Sequence, residues 1–208
     1  ITLTPSPASI VANGTTTSTV TSGVITDAYG NTVSNGTLIT GATSLGTITT
    51  ADADTITAGI QVATSSGVIS FVVQSGTVAG TANVTVASVQ GSASGSTQIT
   101  FLPGPPAGTI SLTPSPSSIV ANGVTTSTVT SGVITDAYGN TVSNGTLITV
   151  ATSMGTITTA DADAGTAGIQ VATSNGVISL VVKSGTVAGT ANVTASSVQG
   201  SASGSTQI

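Results

Sequence analysis

The sequence predicts an all-β molecule built as two tandem antiparallel β-sandwiches, on three observations. The chain repeats itself once without insertion or deletion, each copy carries a series of short β-prone runs bounded by turn residues, and no segment has the composition or period of a helix.

The repeat sets the organisation. Ile1-Thr2-Leu3-Thr4-Pro5-Ser6-Pro7 returns as Ile110-Ser111-Leu112-Thr113-Pro114-Ser115-Pro116, and Ser96-Thr97-Gln98-Ile99 as Ser205-Thr206-Gln207-Ile208, so both ends shift by 109 (110 − 1 and 208 − 99). Of the 99 aligned positions 12 differ, and the interior-type changes stay apolar: Leu45 to Met154, Phe71 to Leu180, Val86 to Ala195. A packed core tolerates such exchanges. A unit of about 100 residues has the size of an ordinary domain, whereas solenoid repeats run to roughly 20–50 residues. The expected domains are a first sandwich over residues 1–102, a Pro/Gly linker over 103–108, and a second sandwich over 109–208. The second is truncated at its C-terminal strand, because Ile208 precedes the counterpart of Thr100-Phe101-Leu102. Both chain ends read as cuts through a longer array. Each domain can bury roughly 60–70% of its unfolded surface, enough for a core without the disulfides that a cysteine-free chain cannot form.

Gly, Thr, Val and Ser dominate the runs, which argues against helix. In the first copy strands are expected near residues 1–4, 17–25, 37–43, 46–50, 59–63, 68–74, 81–89 and 96–102. Two of these alternate clearly. Ala82, Val84 and Val86 oppose Thr81, Asn83 and Thr85, while Ile69, Phe71 and Val73 oppose Val68, Ser70 and Val72, so that one face of each enters a core. Seven or more such strands in 100 residues is the pattern of an immunoglobulin-like sandwich, with a closed barrel as the alternative. Tyr29-Gly30-Asn31, Ser34-Asn35-Gly36 and Ser65-Ser66-Gly67 are the expected turns. Ser174-Asn175-Gly176 replaces the last of these in the second copy, and Asn-Gly is a strong hairpin signal. Pro103-Gly104-Pro105-Pro106-Ala107-Gly108 cannot continue a central strand and is expected to act as a semi-rigid spacer.

Charge is nearly absent: one lysine, six aspartates and no glutamate, arginine or histidine, for a net charge of −5. Nucleic acid and anionic membranes require clustered Lys and Arg, so neither is an expected partner. Disorder goes with low hydrophobicity and high charge, the reverse of this balance. No charged n-region followed by an apolar stretch opens the chain, and no run of about 20 apolar residues occurs, so neither a signal peptide nor a membrane span is expected in it.

Several blocks resemble the bacterial immunoglobulin-like domains of the invasin and intimin type. They are Ile25-Thr26-Asp27-Ala28-Tyr29-Gly30-Asn31-Thr32-Val33, Leu45-Gly46-Thr47-Ile48-Thr49, Thr64-Ser65-Ser66-Gly67-Val68, and Ser75-Gly76-Thr77-Val78-Ala79-Gly80-Thr81-Ala82-Asn83-Val84-Thr85. Ser96-Thr97-Gln98-Ile99-Thr100-Phe101 is similar to that family's closing strand. The resemblance implies a surface-exported stalk of tandem sandwiches that projects a terminal binding domain. The near absence of charge and of an adhesive tip departs from it, so receptor binding is not carried over.

Candidate sites are few. Asp27 and Asp136 stand where a carboxylate accepts backbone amides in an Asx-turn. Asp52 and Asp54, matched by Asp161 and Asp163, could join carbonyl oxygens around calcium, but the more economical role is that of acidic loop residues guarding a sheet edge. Without His or Cys there is no usual triad and no zinc site, and Gly-x-x-x-x-Gly-Lys is absent. No catalytic residue, metal site, cofactor or small-molecule substrate is expected, and the chain is not read as an enzyme. Lys183 replaces Gln74, so no function shared by the copies, isopeptide stapling included, can rest on it. Asn13, Asn35, Asn83, Asn144 and Asn192 match the N-glycosylation pattern, but Asn122-Gly123-Val124 loses the match where Asn13 has it.

The expectation is therefore a structural repeat of an extracellular, cell-surface protein, whose backbone ladders share a pulling load as a stalk or spacer in adhesion or biofilm. Its expected partners are neighbouring copies of the same domain in a longer array. The alternative is a subunit of a self-assembling filament joined by β-edge or strand-addition contacts, the residues absent from the second copy then being supplied by a neighbour. Near identity of the copies also invites domain swapping. A carbohydrate or receptor module would need an aromatic surface, and Tyr29 and Tyr138 are single and turn-bound.

Overall fold

The computed structural model describes residues 1–208 and divides into two compact units, Ile1–Leu102 and Pro103–Ile208. The first unit contains β1 (Leu3–Ser6), β2 (Ser9–Val11), β3 (Thr17–Ser22), β4 (Leu38–Thr43), β5 (Thr47–Ile48), β6 (Ile60–Ala63), β7 (Ser70–Gln74), β8 (Gly80–Ser88) and β9 (Ser94–Leu102). They form a four-stranded sheet in the order β1-β3-β7-β5 and a five-stranded sheet in the order β2-β9-β8-β4-β6. Two separate sheets, not one closed barrel, face each other across the core, and no helix is present.

Alternation places the side chains. Along β8, Ala82, Val84 and Val86 are buried and Thr81, Asn83 and Thr85 exposed. From the opposite sheet β7 contributes Phe71 and Val73, with Ile69 just before it. Burying a side chain of this size stabilises the fold by roughly 1.5–3 kcal/mol, and Ile39, Ile99 and Phe101 belong to the same core cluster.

The turn at Ser65–Val68 is the tight reversal its sequence predicts. Ser65 and Val68 exchange both backbone bonds (2.9 and 3.0 Å), with Ser66 at φ 51° and Gly67 at φ 75°. In the second unit Asn175 takes φ 49° in the same place, and asparagine tolerates that region better than serine.

One strand is absent from the sequence-based expectation. β2 is three residues long and follows Pro7, so it has no legible period. It exists because its partner holds it: Ser9, Ile10 and Val11 run parallel to Thr100, Phe101 and Leu102 of β9. β1 lies in one sheet and β2 in the other, so the first strand region of the domain crosses between the layers.

The second unit repeats the plan with β10 (Leu112–Ser115), β11 (Thr126–Ser131), β12 (Leu147–Thr152), β13 (Thr156–Ile157), β14 (Ile169–Ala172), β15 (Ser179–Lys183), β16 (Asn192–Ser197) and β17 (Ser203–Gln207). Its sheets are β10-β11-β15-β13 and β14-β12-β16-β17. The two cores are filled differently. Gly41 faces Val86 across the β4–β8 ladder, whereas Val150 faces Ala195 across β12–β16. A Cβ on Gly41 would stand 3.2 Å from Ile48 Cδ1 and 3.9 Å from Phe71 Cζ, and in the second unit that ring is the smaller Leu180. Three of the 12 differences are thus one exchange of volume at constant total.

Each core also holds one amide. Gln61 is fully buried at the inner end of the 52–60 loop; its Nε2 donates to the Ala58 carbonyl (3.0 Å) and the Thr40 hydroxyl (3.3 Å), while Oε1 has no partner. Gln170 repeats the arrangement with Ala167 and Thr149.

Candidate functional site

The carboxylates anticipated from the sequence are all tied to their own loops. Asp27 Oδ1 accepts the Tyr29 and Asn31 amides (both 2.9 Å), and Oδ2 accepts the Asn31 side-chain amide (3.0 Å). That side-chain bond, before the backbone ones, holds the Asp27 carboxyl below the usual carboxylate range. Asp52 Oδ1 accepts the amides of Asp54 (3.1 Å) and Gln61 (2.9 Å). Asp54 accepts the Thr57 hydroxyl (2.6 Å) and the Ile56 amide (3.1 Å), and in that order these lower its pKa. Asp161 and Asp163 do the same in the second unit, where the Thr166 hydroxyl, ahead of the Gly165 amide, holds Asp163 down. No three Asp, Glu, His or Cys side chains gather anywhere. The Asp-Ala-Asp pairs thus brace the long loop against the buried glutamine.

The asparagines of the glycosylation pattern also have local roles. Asn13 Oδ1 accepts the Thr15 and Thr16 amides (both 2.9 Å), and Asn122 accepts those of Val124 and Thr125 at the same distance although the threonine is lost there. Asn35 Oδ1 takes the Ser66 amide (2.6 Å) and Asn144 that of Asn175 (2.6 Å), joining two turns. Gln74 Nε2 donates to the Gly14 carbonyl (2.5 Å), and Lys183 closes β15 in its place.

The surfaces with features of their own lie at opposite ends of the sandwich. At one end Phe101, 1% exposed, inserts from β9 beside Gly46, where an added Cβ would lie only 3.0 Å from its ring. The Ala12 amide donates to the Leu102 carbonyl (2.8 Å). The corresponding residues of the second unit, including Ile119, Ala121, Met154, Gly155 and Gly189, line an apolar cavity of about 120 Å³. Ile119 and Ala121 are only partly buried, whereas Ile10 and Ala12 are buried.

At the other end the second unit holds residues 103–108 against itself. The Gly104 amide donates to Asp136 Oδ2 (2.8 Å), the Ala107 amide to the Thr135 carbonyl (2.9 Å), and the Ser201 and Ala202 amides to the Pro106 carbonyl (3.0 and 3.2 Å). Burial pushes the Asp136 pKa up, but the Asn140 side chain and the amides of Gly104, Asn140 and Tyr138 outweigh it, and the carboxyl stays below its ordinary range. Composition marked this segment as a linker; the Ser201 and Ala202 amides, the Thr135 carbonyl and the Asp136 carboxylate that hold it are far away in sequence and carried no local signal.

No family model matches the chain, and no curated protein matches it. Among solved structures it is similar to InvD of Yersinia pseudotuberculosis, with a TM-score of 0.60 and 23% identity over 100% of this chain and 56% of that one. It is also similar to the Escherichia coli adhesin FdeC, with a TM-score of 0.57 and 20% identity over 96% of this chain and 60% of that one. The chain spans little more than half the length of either. Its fold is that of the bacterial immunoglobulin-like domains of the invasin and intimin type.

Proposed function

We propose that the chain is a structural repeat of an extracellular, cell-surface protein, serving as a stalk or spacer in adhesion or biofilm. The observation that carries this reading is the bonding of the segment that ends one repeat and begins the next. Thr100, Phe101 and Leu102 are strand residues of the first unit, and Gly104, Pro106 and Ala107 are bonded to the second. A short proline-rich connection acts as a spacer more than as a flexible tether. The fold shared with an adhesin supports the surface location, and carboxylates committed to loop bonds support a role that depends on shape.

Small-angle scattering of the 208-residue chain tests it. A spacer gives an elongated two-domain profile whose maximum dimension falls in distribution when residues 103–108 are replaced by Gly and Ser. A profile identical in the two chains would remove the reading.

The second reading is a filament of copies joined through exposed β-edges or by strand addition. Regular fibres by electron microscopy support it; a concentration-independent monomer mass by light scattering removes it.

A further inference from the structure

The two copies share the Asp-x-x-Gly-Asn turn but differ in what covers it. In the second unit Asp136, Val142 and Ala202 are 4%, 3% and 2% exposed beneath the bonded 103–108 segment, and Pro106 is itself buried. In the first unit their counterparts are open: Asp27 is exposed, and Val33 and Ala93 are only half-buried. With Ile25, Ile39 and Gln90 these residues line a groove of about 330 Å³. No protein acceptor meets the Ser92 and Ala93 amides, the counterparts of the two that bind the Pro106 carbonyl.

A glycine points the same way. A Cβ on Gly200 would overlap the Pro106 carbonyl oxygen, so only glycine lets the segment lie down there. Gly91 occupies the same place in the first unit, where an added Cβ would come no nearer than 3.3 Å to the Ser88 hydroxyl. Neither glycine has a positive φ. Within the first unit an added Cβ meets only the Ser88 side chain, which can turn away, whereas an incoming chain would meet it with backbone.

We propose that the groove of the first unit is a docking site for a Pro-Gly-Pro-Pro-Ala-Gly segment joined ahead of the domain. Asp27 receives the glycine amide, and the Ser92 and Ala93 amides receive the carbonyl of the second consecutive proline. Such a segment suits the groove chemically. Its prolines present carbonyls without amides, so its polar needs match a surface offering two amides and one carboxylate. Its extended form is also largely set before binding, which lowers the ordering cost. The Ile1 amine already donates to the Ser94 carbonyl (2.7 Å), as the Ile110 amide does to Ser203 (2.8 Å), so a segment attached there enters in register.

The test is amide hydrogen exchange by NMR on the full chain carrying Pro-Gly-Pro-Pro-Ala-Gly-Thr ahead of Ile1, compared with a Gly-Ser extension of equal length. Ser92 and Ala93 are expected to exchange at least about tenfold more slowly with the proline extension. Gly91→Ala is expected to abolish that protection without lowering the melting temperature of the unextended chain. Asp27→Asn, which keeps one oxygen for the turn, is expected to reduce it. Equal rates in the two extensions, or full protection in both variants, overturn the proposal. It does not rest on the spacer reading, and a scattering result against that reading would leave these rates unaffected.

Discussion

Gly41 lies directly opposite Val86, and the same rung in the second unit is Val150 opposite Ala195, the large and small partners having exchanged strands. Total volume is conserved while its placement is not, so the two cores are alternative solutions on one backbone plan. Gly41→Val alone should overpack the first core against Ile48 and Phe71 and lower stability by about 1–3 kcal/mol. Adding Phe71→Leu and Val86→Ala should recover most of that loss. Denaturant titration of the single, double and triple variants measures the coupling, expected at about 0.5–3 kcal/mol.

Gly200→Ala should destabilise the second unit by about 1–3 kcal/mol, because the methyl meets the Pro106 carbonyl and displaces the chain from Ser201 and Ala202. Gly91→Ala in the first unit should be within about 0.5 kcal/mol of the parent. Calorimetry of the two variants reads the asymmetry directly.

Acid should be the main pH sensitivity. Asp27, Asp54, Asp136 and Asp163 all have folded pKa values below their ordinary value. A depressed carboxylate contributes stability that is fully present above the unfolded pKa of about 3.9 and is lost as pH falls through the folded value. With no histidine or glutamate, the melting temperature should be nearly flat from about pH 5 to 8 and should decline below about pH 4. A midpoint near pH 6.5 would contradict this.

Gln61→Glu should cost about 2–4 kcal/mol at neutral pH. It would place a carboxylate in a buried site facing the Ala58 carbonyl, which now receives Nε2. Here the sign is reversed: burial raises the folded pKa, so the loss is smallest below the unfolded Glu value and grows as pH rises. Denaturation midpoints at pH 4 and pH 8 distinguish the two directions.

What the sequence made legible was whatever depends on near neighbours. The alternation of Ala82, Val84 and Val86 placed one face of β8 in the core, and Ser-Asn-Gly marked a reversal. The Asx-turn at Asp27, closed by the Tyr29 amide two residues on, followed from the turn sequence. Illegible were the features made by distant partners. β2 is a strand only because β9 lies beside it, and Gln61 looks like an ordinary loop-end polar residue until Ala58 and Thr40 close around it. Gly200 looks like one of many loop glycines until Pro106 is seen against it. A single copy could not have revealed the exchange among Gly41, Phe71 and Val86 either, since it is visible only as a difference between the packings of two copies.

The parallel alignment of Ser9–Val11 with Thr100–Leu102 determines how the first domain would rupture. Force applied at its two termini would draw these strands past one another along their length, in shear. Their hydrogen bonds would then have to fail together, and not one after another as when a hairpin unzips. Under such a load a three-residue strand with no recognisable signature would be the mechanical clasp of the domain.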